Sequence, residues 1–578
     1  MAPRDGNGVV EEKLGRVQLR TESGEIILVP KPSTDPNDPL NWSQPFKYYI
    51  AIVTCAGMLM TTFLAAGPTV ALVEIALDFA GGDQSKLGEV IPQVAYFFTV
   101  SALTQGTGNL IWQPLINKYG RRPMYIISFS GYLGTAVWSG VTTNYASELV
   151  ARILLGFFSG AGECLGPGTI SDLFFLHERG SMMAIYSFAV GSGVSIGIIV
   201  SGFIVLKNSW QMIYFVGAAL IGALLILIIF TMPETSYNRS YDGSEGEDIF
   251  VSQKANYRLS LSIILDDTEK ARETRYYKEN EKLAKMALSD QTSVIERLEE
   301  RIQRLEEAIL GNKQYAPLSS GIRSAKKSYW STLALFTGEI YTTQSIWTMF
   351  IRPFGMILLP PVLWATLVMA TLVGFSVALS STFANDFARV YNFTAFQSGL
   401  AFFGSLIGGL LAMPAGGPVG EAVANYFTVR NRGIREPEFR LPAMAISIIT
   451  APLGLILYGV GLENKMHYMV PITGISLLSF SAGQAMNISF VYTLDAYGPV
   501  AGEVTIAQLA FKSVIGFGLS ATTNSWIANA GLVVALSEMA GITAFVLLLS
   551  VPMFFWGARL RRWSLGWRAV KFVRWEGL

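Results

Sequence analysis

About twelve stretches of mostly apolar residues, each long enough to cross a bilayer as a helix, dominate this 578-residue chain. They fall near 47–70, 89–112, 122–143, 146–172, 181–206, 211–232, 352–380, 395–415, 440–462, 468–491, 499–527 and 531–557. Backbone inside lipid must satisfy its own hydrogen bonds, so this pattern commits the chain to helices. Composition agrees: 15% of residues are charged and 51% hydrophobic, whereas soluble chains carry about 25% charge. Too little charge is present to cover a water-facing surface, so most of the exterior must face lipid.

The spans group six and six. The organisation expected is a polar tail over 1–46, a six-helix bundle over 47–232, a charged cytoplasmic loop over 233–345, a second six-helix bundle over 346–558 and a basic aromatic tail over 559–578. No cleavable leader is read before Phe46, so the first span would act as an uncleaved signal anchor. In the central loop Ile295, Leu298, Ile302, Leu305 and Ile309 form a short heptad seam. It reads as a solvated helix resting on the membrane domain, with a regulatory or self-association helix as the alternative. The final tail alternates cations with Trp and Phe, which suits an anionic inner leaflet.

Loop charges orient the chain with both ends cytoplasmic. Lys118, Arg121, Arg122, His177, Arg179, Arg430, Arg432, Arg435 and Arg440 fall on one side, with Arg559, Arg561, Arg562, Arg568, Lys571 and Arg574 in the tail. Glu74, Asp78, Asp83, Glu89, Glu148 and Asp386 fall on the other. Asn392-Phe-Thr is an outer-loop sequon, open to glycosylation in the secretory pathway. A lipid bilayer is thus the first partner implied, with a plasma membrane as the expected location and a vacuolar membrane as the alternative.

Several functional classes are excluded by what the chain lacks. Cys55 and Cys164 are its only cysteines, and His177 and His467 its only histidines. That leaves no disulfide framework, no metal site and no Ser-His-Asp catalysis. No phosphate-binding Gly-Lys-Ser/Thr loop is present. A net charge of +1 gives no nucleic-acid footprint. Neither an enzyme nor a cofactor is expected.

Charged residues inside spans are costly and therefore informative. Arg152 and Glu163 lie eleven residues apart in the fourth span, about three helical turns, and so share one face with Gly156 and Gly160. Such a stripe suits a charged wall of a water-filled cavity, or a structural charge paired with another helix. Lys512 lies deep in the eleventh span; it could line a pore or snorkel to the cytoplasmic side. Gln484, Asn487 and Asn524 are candidate substrate hydrogen-bonders or helix–helix glue. Gly191, Gly193, Gly197 and Gly202 mark a close-packing face in the fifth span. Between spans two and three, Asn117, Lys118, Gly120, Arg121 and Arg122 form a tight basic turn, in which Gly120 permits a sharp reversal.

These motifs carry a family resemblance. Residues 113–122, Arg152-x-x-x-Gly156-x-x-x-Gly160, residues 171–180, Met232-Pro-Glu-Thr235, Pro437-Glu-x-Arg-Leu441 and Thr493-Leu-Asp-Ala-Tyr-Gly498 resemble motifs of the major facilitator superfamily, specifically its fungal twelve-span drug:proton antiporters. Asp38-Pro-Leu-Asn-Trp-Ser43 is similar to the juxtamembrane signature of fungal members. Several positions depart from the family pattern. Gln113 stands where the loop motif has Gly, Ser201 where the fifth-span motif has Gly, and Lys512 where related chains have Arg. Two further departures bear on mechanism. Asn117 stands where the loop motif has a carboxylate, so that motif's salt-bridge switch cannot form through it. Ile198 stands where the fifth-span antiporter motif has Pro.

The resemblance implies a transporter, expected to act as a monomer, that works by alternating access on a small-molecule substrate. Arg152, Glu163, Gln484, Asn487 and Lys512 would form the substrate and proton pathway. The leading expectation is an exporter of an amphipathic metabolite, toxin or drug, driven by protons through Glu163. The alternatives are an importer of a nutrient or polyamine-type cation, and a non-transporting receptor or scaffold.

Overall fold

A computed structural model describes residues 17–18, 33, 35–237, 328–336, 338, 340–342, 344–431, 434–497, 500–565 and 567. The heptad seam, Arg432, Arg568, Lys571, Arg574 and the side chains of His177 and Asn524 lie outside the described residues.

The apolar runs become helices: α1 (Gln44–Phe79), α2 (Leu87–Tyr119), α3 (Arg121–Val141), α4 (Tyr145–Leu173), α5 (Leu176–Val205) and α6 (Gln211–Thr231) in the first half. The second half contains α7 (Pro360–Tyr391), α8 (Ala395–Arg430), α9 (Pro437–Glu463), α10 (Met469–Ala496), α11 (Ala501–Ala530) and α12 (Leu532–Ser564). Ten of these are long and apolar enough to cross a membrane by composition alone. The other two, α2 and α3, complete the set; α2 carries Gln105, Asn109 and Gln113 inside its span. The fold is an all-helical membrane protein. Its β pairing among the described residues is limited to Val17–Gln18 against Ile434–Arg435.

Two hydrophobic cores form. One is built mainly from residues between Ile50 and Met232, the other mainly from Met356 to Leu547. Within the first half α2 packs along α4, α1 along α5, and α3 against α4 and α6. The halves meet where α2 lies on α11 and α5 on α8.

Polar residues set the helix ends. Asn144 Oδ1 accepts from Ser147 N at 2.8 Å and opens α4. Thr394 and Gln397 form a capping box that opens α8. The seventh span starts at Pro360, later than the expected 352. Leu359 precedes two prolines and is held extended (φ −67°, ψ 122°), so residues 346–356 form a separate short helix, Ile346–Met356.

Several charges expected in loops are inside helices instead. Glu148, at 1% exposed, sits in the first turn of α4, and Asp386 lies in α7, accepting from Tyr458 OH at 3.0 Å. Arg561 is part of α12 and pairs with Glu438 (3.6 Å). At Asp386 and Arg561 the helix runs past the end of its apolar stretch, whereas Glu148 lies inside its span, three residues after the start of α4.

Glycine permits close contact at all but one of the positions singled out in the sequence; Gly191 is the exception, since a Cβ there would meet nothing within 4 Å. A Cβ at Gly160 would overlap the carbonyl oxygen of Gln105, and one at Gly156 that of Ser101, so α2 and α4 touch backbone to backbone. Gly193 and Gly197 bring α5 equally close to Leu59 and Phe63 of α1, and Gly202 faces Ala395 of the second half.

Candidate functional site

The chain is basic at one end of the bundle, and the turn between α2 and α3 organises it. Gly120 has φ +92°, a conformation that disfavours side chains, and a Cβ there would lie 2.6 Å from a Glu234 oxygen. Glu234 takes that space. Its two carboxylate oxygens accept from Arg121 N and Arg122 N, both at 3.0 Å, and cap the start of α3. A carboxylate at a helix N-terminus also complements the helix dipole. Arg121 pairs with Asp172 of α4 (2.5 Å). The Arg122 guanidinium donates to the carbonyls of Met232, Ile229 and Ile228 at the end of α6, and to Leu333 and Ala334. Asn117 Oδ1 accepts from Gln113 Nε2 (2.9 Å), within one helix, while Tyr341 N donates to the Lys118 carbonyl (3.2 Å).

A related network lies at the same end of the second half. Glu421 of α8 holds Arg435 (2.5 Å) and Arg440 (2.5 Å), and Arg440 also approaches Asp495 (3.5 Å). Arg435 lies in the loop before α9. Burial alone would disfavour its charge, but the Glu421 carboxylate outweighs that and raises its pKa above the ordinary guanidinium value.

Between the halves is a cavity of about 270 Å³, lined mainly by apolar side chains such as Phe98, Phe188, Met369, Phe402, Phe490 and Phe517. Near its basic end α5 approaches α8, where a Cβ on Gly417 would meet Ala184 at 2.8 Å. Toward the other end Phe203 and Phe396 pack with ring centroids 4.8 Å apart. In between, Ser195 of α5 donates to Ser405 of α8 (2.9 Å). The halves therefore touch on both sides of the cavity.

Two ionisable residues in this lining form an ion pair across the halves. Lys512 Nζ of α11 lies 3.2 Å from Glu163 Oε1 of α4. Glu163 also accepts from Gln105 Nε2 and Asn109 Nδ2 of α2, both at 3.3 Å. Three donors thus converge on one carboxylate that is 6% exposed. A buried carboxylate is tolerable only when paired and hydrogen-bonded in this way.

Of the expected pathway residues, Glu163, Lys512 and Asn487 line the cavity, whereas Arg152 and Gln484 do not. Arg152 is fully buried behind the wall. Its Nε meets Glu148 Oε1 (2.9 Å), its other nitrogens reach Leu64 O (3.1 Å) and Tyr214 OH, and it stacks on Phe98 and Tyr214. Gln484 accepts from Ser447 Oγ (2.6 Å) and donates to Ala443 O (3.2 Å), joining α10 to α9. Sequence reasoning missed Gln105, Asn109 and Glu148. The first two carry a legible signal: two amides four residues apart, on one face, inside a membrane span.

The family model described as Major Facilitator Superfamily matches residues 49–521. The chain belongs to this superfamily. Among similar facilitators, an uncharacterized MFS-type transporter of Schizosaccharomyces pombe is 25% identical, covering 96% of this chain and 94% of that protein. Protein HOL1 of Saccharomyces cerevisiae is 25% identical, with 97% and 94% coverage. The solved structure of the proton:xylose symporter XylE of E. coli matches with a TM-score of 0.54 at 14% identity, over 89% of this chain and 96% of that one. This facilitator is accordingly a transporter of the secondary kind, multi-pass in a membrane, and its cavity lies where two major-facilitator bundles meet.

Proposed function

We propose that this facilitator exports a small amphipathic molecule from the cytoplasm by alternating access, driven by protons and acting as a monomer in the plasma membrane with both termini cytoplasmic. The Glu163–Lys512 pair carries this reading, because it joins the two halves inside the chamber where cargo would sit. To face either side the halves must part, and parting separates the pair. A carboxylate stripped of its ammonium in an apolar wall is costly. A proton on Glu163 removes that cost, so protonation and cytoplasmic or external opening become linked.

Gln105 and Asn109 hold the carboxylate to α2 whichever way Lys512 moves. Proton chemistry thus stays with the first half. The basic turn at Lys118–Arg122 and the Glu421 network close the cytoplasmic end, each locked within its own half by the ion pairs described above. An apolar lining suits the body of an amphipathic cargo.

The test is gradient-driven flux. Paired metabolite profiling of cells and medium, comparing a gene deletion with its complemented strain, first names the cargo: it accumulates in deleted cells and falls in the medium. Glu163→Gln, at wild-type abundance in the membrane, should then abolish transport driven by a proton gradient. Retained gradient-driven transport would remove Glu163 from the coupling step.

A further inference from the structure

The Glu163 carboxylate has two oxygens with unlike neighbours. Oε1 meets Lys512 Nζ (3.2 Å) and Gln105 Nε2 (3.3 Å), and both of those residues line the cavity. Oε2 meets Asn109 Nδ2 (3.3 Å), and Asn109 is 0% exposed and lies off the lining. One oxygen thus faces partners that cargo and water can disturb. The other faces a partner they do not reach.

The two amides differ in the same way. A carboxylate only accepts, so each amide must turn its NH2 group to Glu163. Behind Asn109 stands Cys164, whose Sγ donates to Asn109 Oδ1 at 3.0 Å. The thiol is buried and follows Glu163 on α4, so one helix holds both ends of the Asn109 amide. Close packing makes this reach possible, since α2 and α4 touch backbone to backbone at Gly156 and Gly160. Turning Asn109 over would set its oxygen against the carboxylate and its NH2 group against sulfur, a weak acceptor. Gln105 has no such anchor: among the described residues its side chain bonds only Glu163.

Resting on the proton-coupled reading above, we propose that Cys164 is a positioning residue for the proton. It fixes Asn109 as a standing donor to Oε2, which leaves Oε1 as the oxygen that is protonated. When the halves part and Lys512 leaves, a proton from water in the chamber forms an O–H bond on Oε1, and the carboxylate charge is lost. Gln105 then turns and accepts from that O–H through its own oxygen, while Asn109 keeps its place.

The other titratable groups at this level are few. Lys512 comes from α11 and Cys164 from α4 itself, and α5 brings Tyr186, whose OH donates to the Glu163 carbonyl (3.2 Å). Tyr125 of α3 and Cys55 of α1 stand within electrostatic reach of Tyr186, and α2 contributes the two amides. Cys164→Ala removes the anchor and frees Asn109 to turn. The charged carboxylate then loses a fixed donor, so protonation should set in at higher pH.

Infrared spectra of the full chain in lipid vesicles, recorded across a pH series, test this. The carbonyl stretch of a protonated carboxyl that is missing from Glu163→Gln belongs to Glu163. In Cys164→Ala that band should appear at a pH about 0.5–1 unit higher than in the wild type. Cys164→Ser keeps a donor and should bring it back toward the wild-type pH. A band that stays in place or moves to lower pH in Cys164→Ala would overturn the proposal, and so would equal displacement in both variants. A lowered thermal midpoint with the band in place would make Cys164 a packing residue and overturn it as well. None of these results touches export. A wild-type spectrum with no band missing from Glu163→Gln would instead remove proton binding at Glu163, and this inference with it.

Discussion

Glu148→Ala should be among the most damaging single changes in the first half, and its cost can be worked from the contacts. Glu148 Oε1 accepts from Arg152 Nε and from Tyr214 OH, both at 2.9 Å, and Oε2 accepts from Thr142 Oγ1 at 2.8 Å. Arg152 is 0% exposed, so deleting Glu148 leaves a guanidinium with no counter-charge and no access to water. Breaking one side of a buried pair costs about 3–5 kcal/mol. Removing both partners costs far less, because the stranded charge disappears with its partner. Arg152→Met alone strands Glu148 instead, although Thr142 and Tyr214 still satisfy it, so this variant should fall between the two. The double variant Glu148→Ala/Arg152→Met should therefore recover about 1–3 kcal/mol relative to additivity. Thermal unfolding of the four purified proteins in one detergent, followed by loss of the monodisperse peak, gives their order. A double variant no more stable than Glu148→Ala would refute the stranded-charge account and return the cluster to ordinary packing.

Further changes test other parts of the structure. Gly160→Ala puts a methyl group against the carbonyl of Gln105, whose side chain holds Glu163; overpacking of about 1–3 kcal/mol and a loss of flux are expected, measured by thermal midpoint and vesicle transport. Glu234→Ala removes the carboxylate that caps α3, at about 1 kcal/mol for the cap, and should leave the 120–122 turn more open to protease, measured by limited proteolysis from the cytoplasmic side. Asn392 is exposed but sits at φ +56° in a turn whose Thr394 caps α8, directly between two membrane helices. The tight turn favours an unmodified Asn392, and an unchanged gel mobility after endoglycosidase treatment is the expected result.

The fold was legible in the chain because lipid allows few solutions: apolar runs of the right length must be helices. Two parts of the site were legible for the same reason, since Glu163 and Lys512 are conspicuous charges within spans. Their pairing was not, because they are 349 positions apart and each had a plausible alternative. Arg152 was the more obvious partner for Glu163, lying on its own helix face. It instead turns to Glu148, an acid near the start of a span that by its charge reads as part of the outer loop. Helix ends were misjudged wherever buried partners carried a helix past its apolar stretch, as at Asp386 and Arg561. That Asn487 lines the cavity and Gln484 does not, three residues apart on one helix, depends on which neighbour each faces. Composition carries no trace of that.

The Glu234 cap also bears on how the protein is made. It joins backbone groups to a side chain 113 positions later, so a ribosome that has delivered α1 to α5 into the membrane has not yet delivered the residue that closes the α2–α3 turn. Until α6 is complete, the first turn of α3 has no carboxylate and Arg122 lacks the carbonyls of residues 228–232 that it will hold. The first half thus has a built-in last step, and a chain truncated just before Glu234 would carry every span of that half while lacking the fastening that closes it.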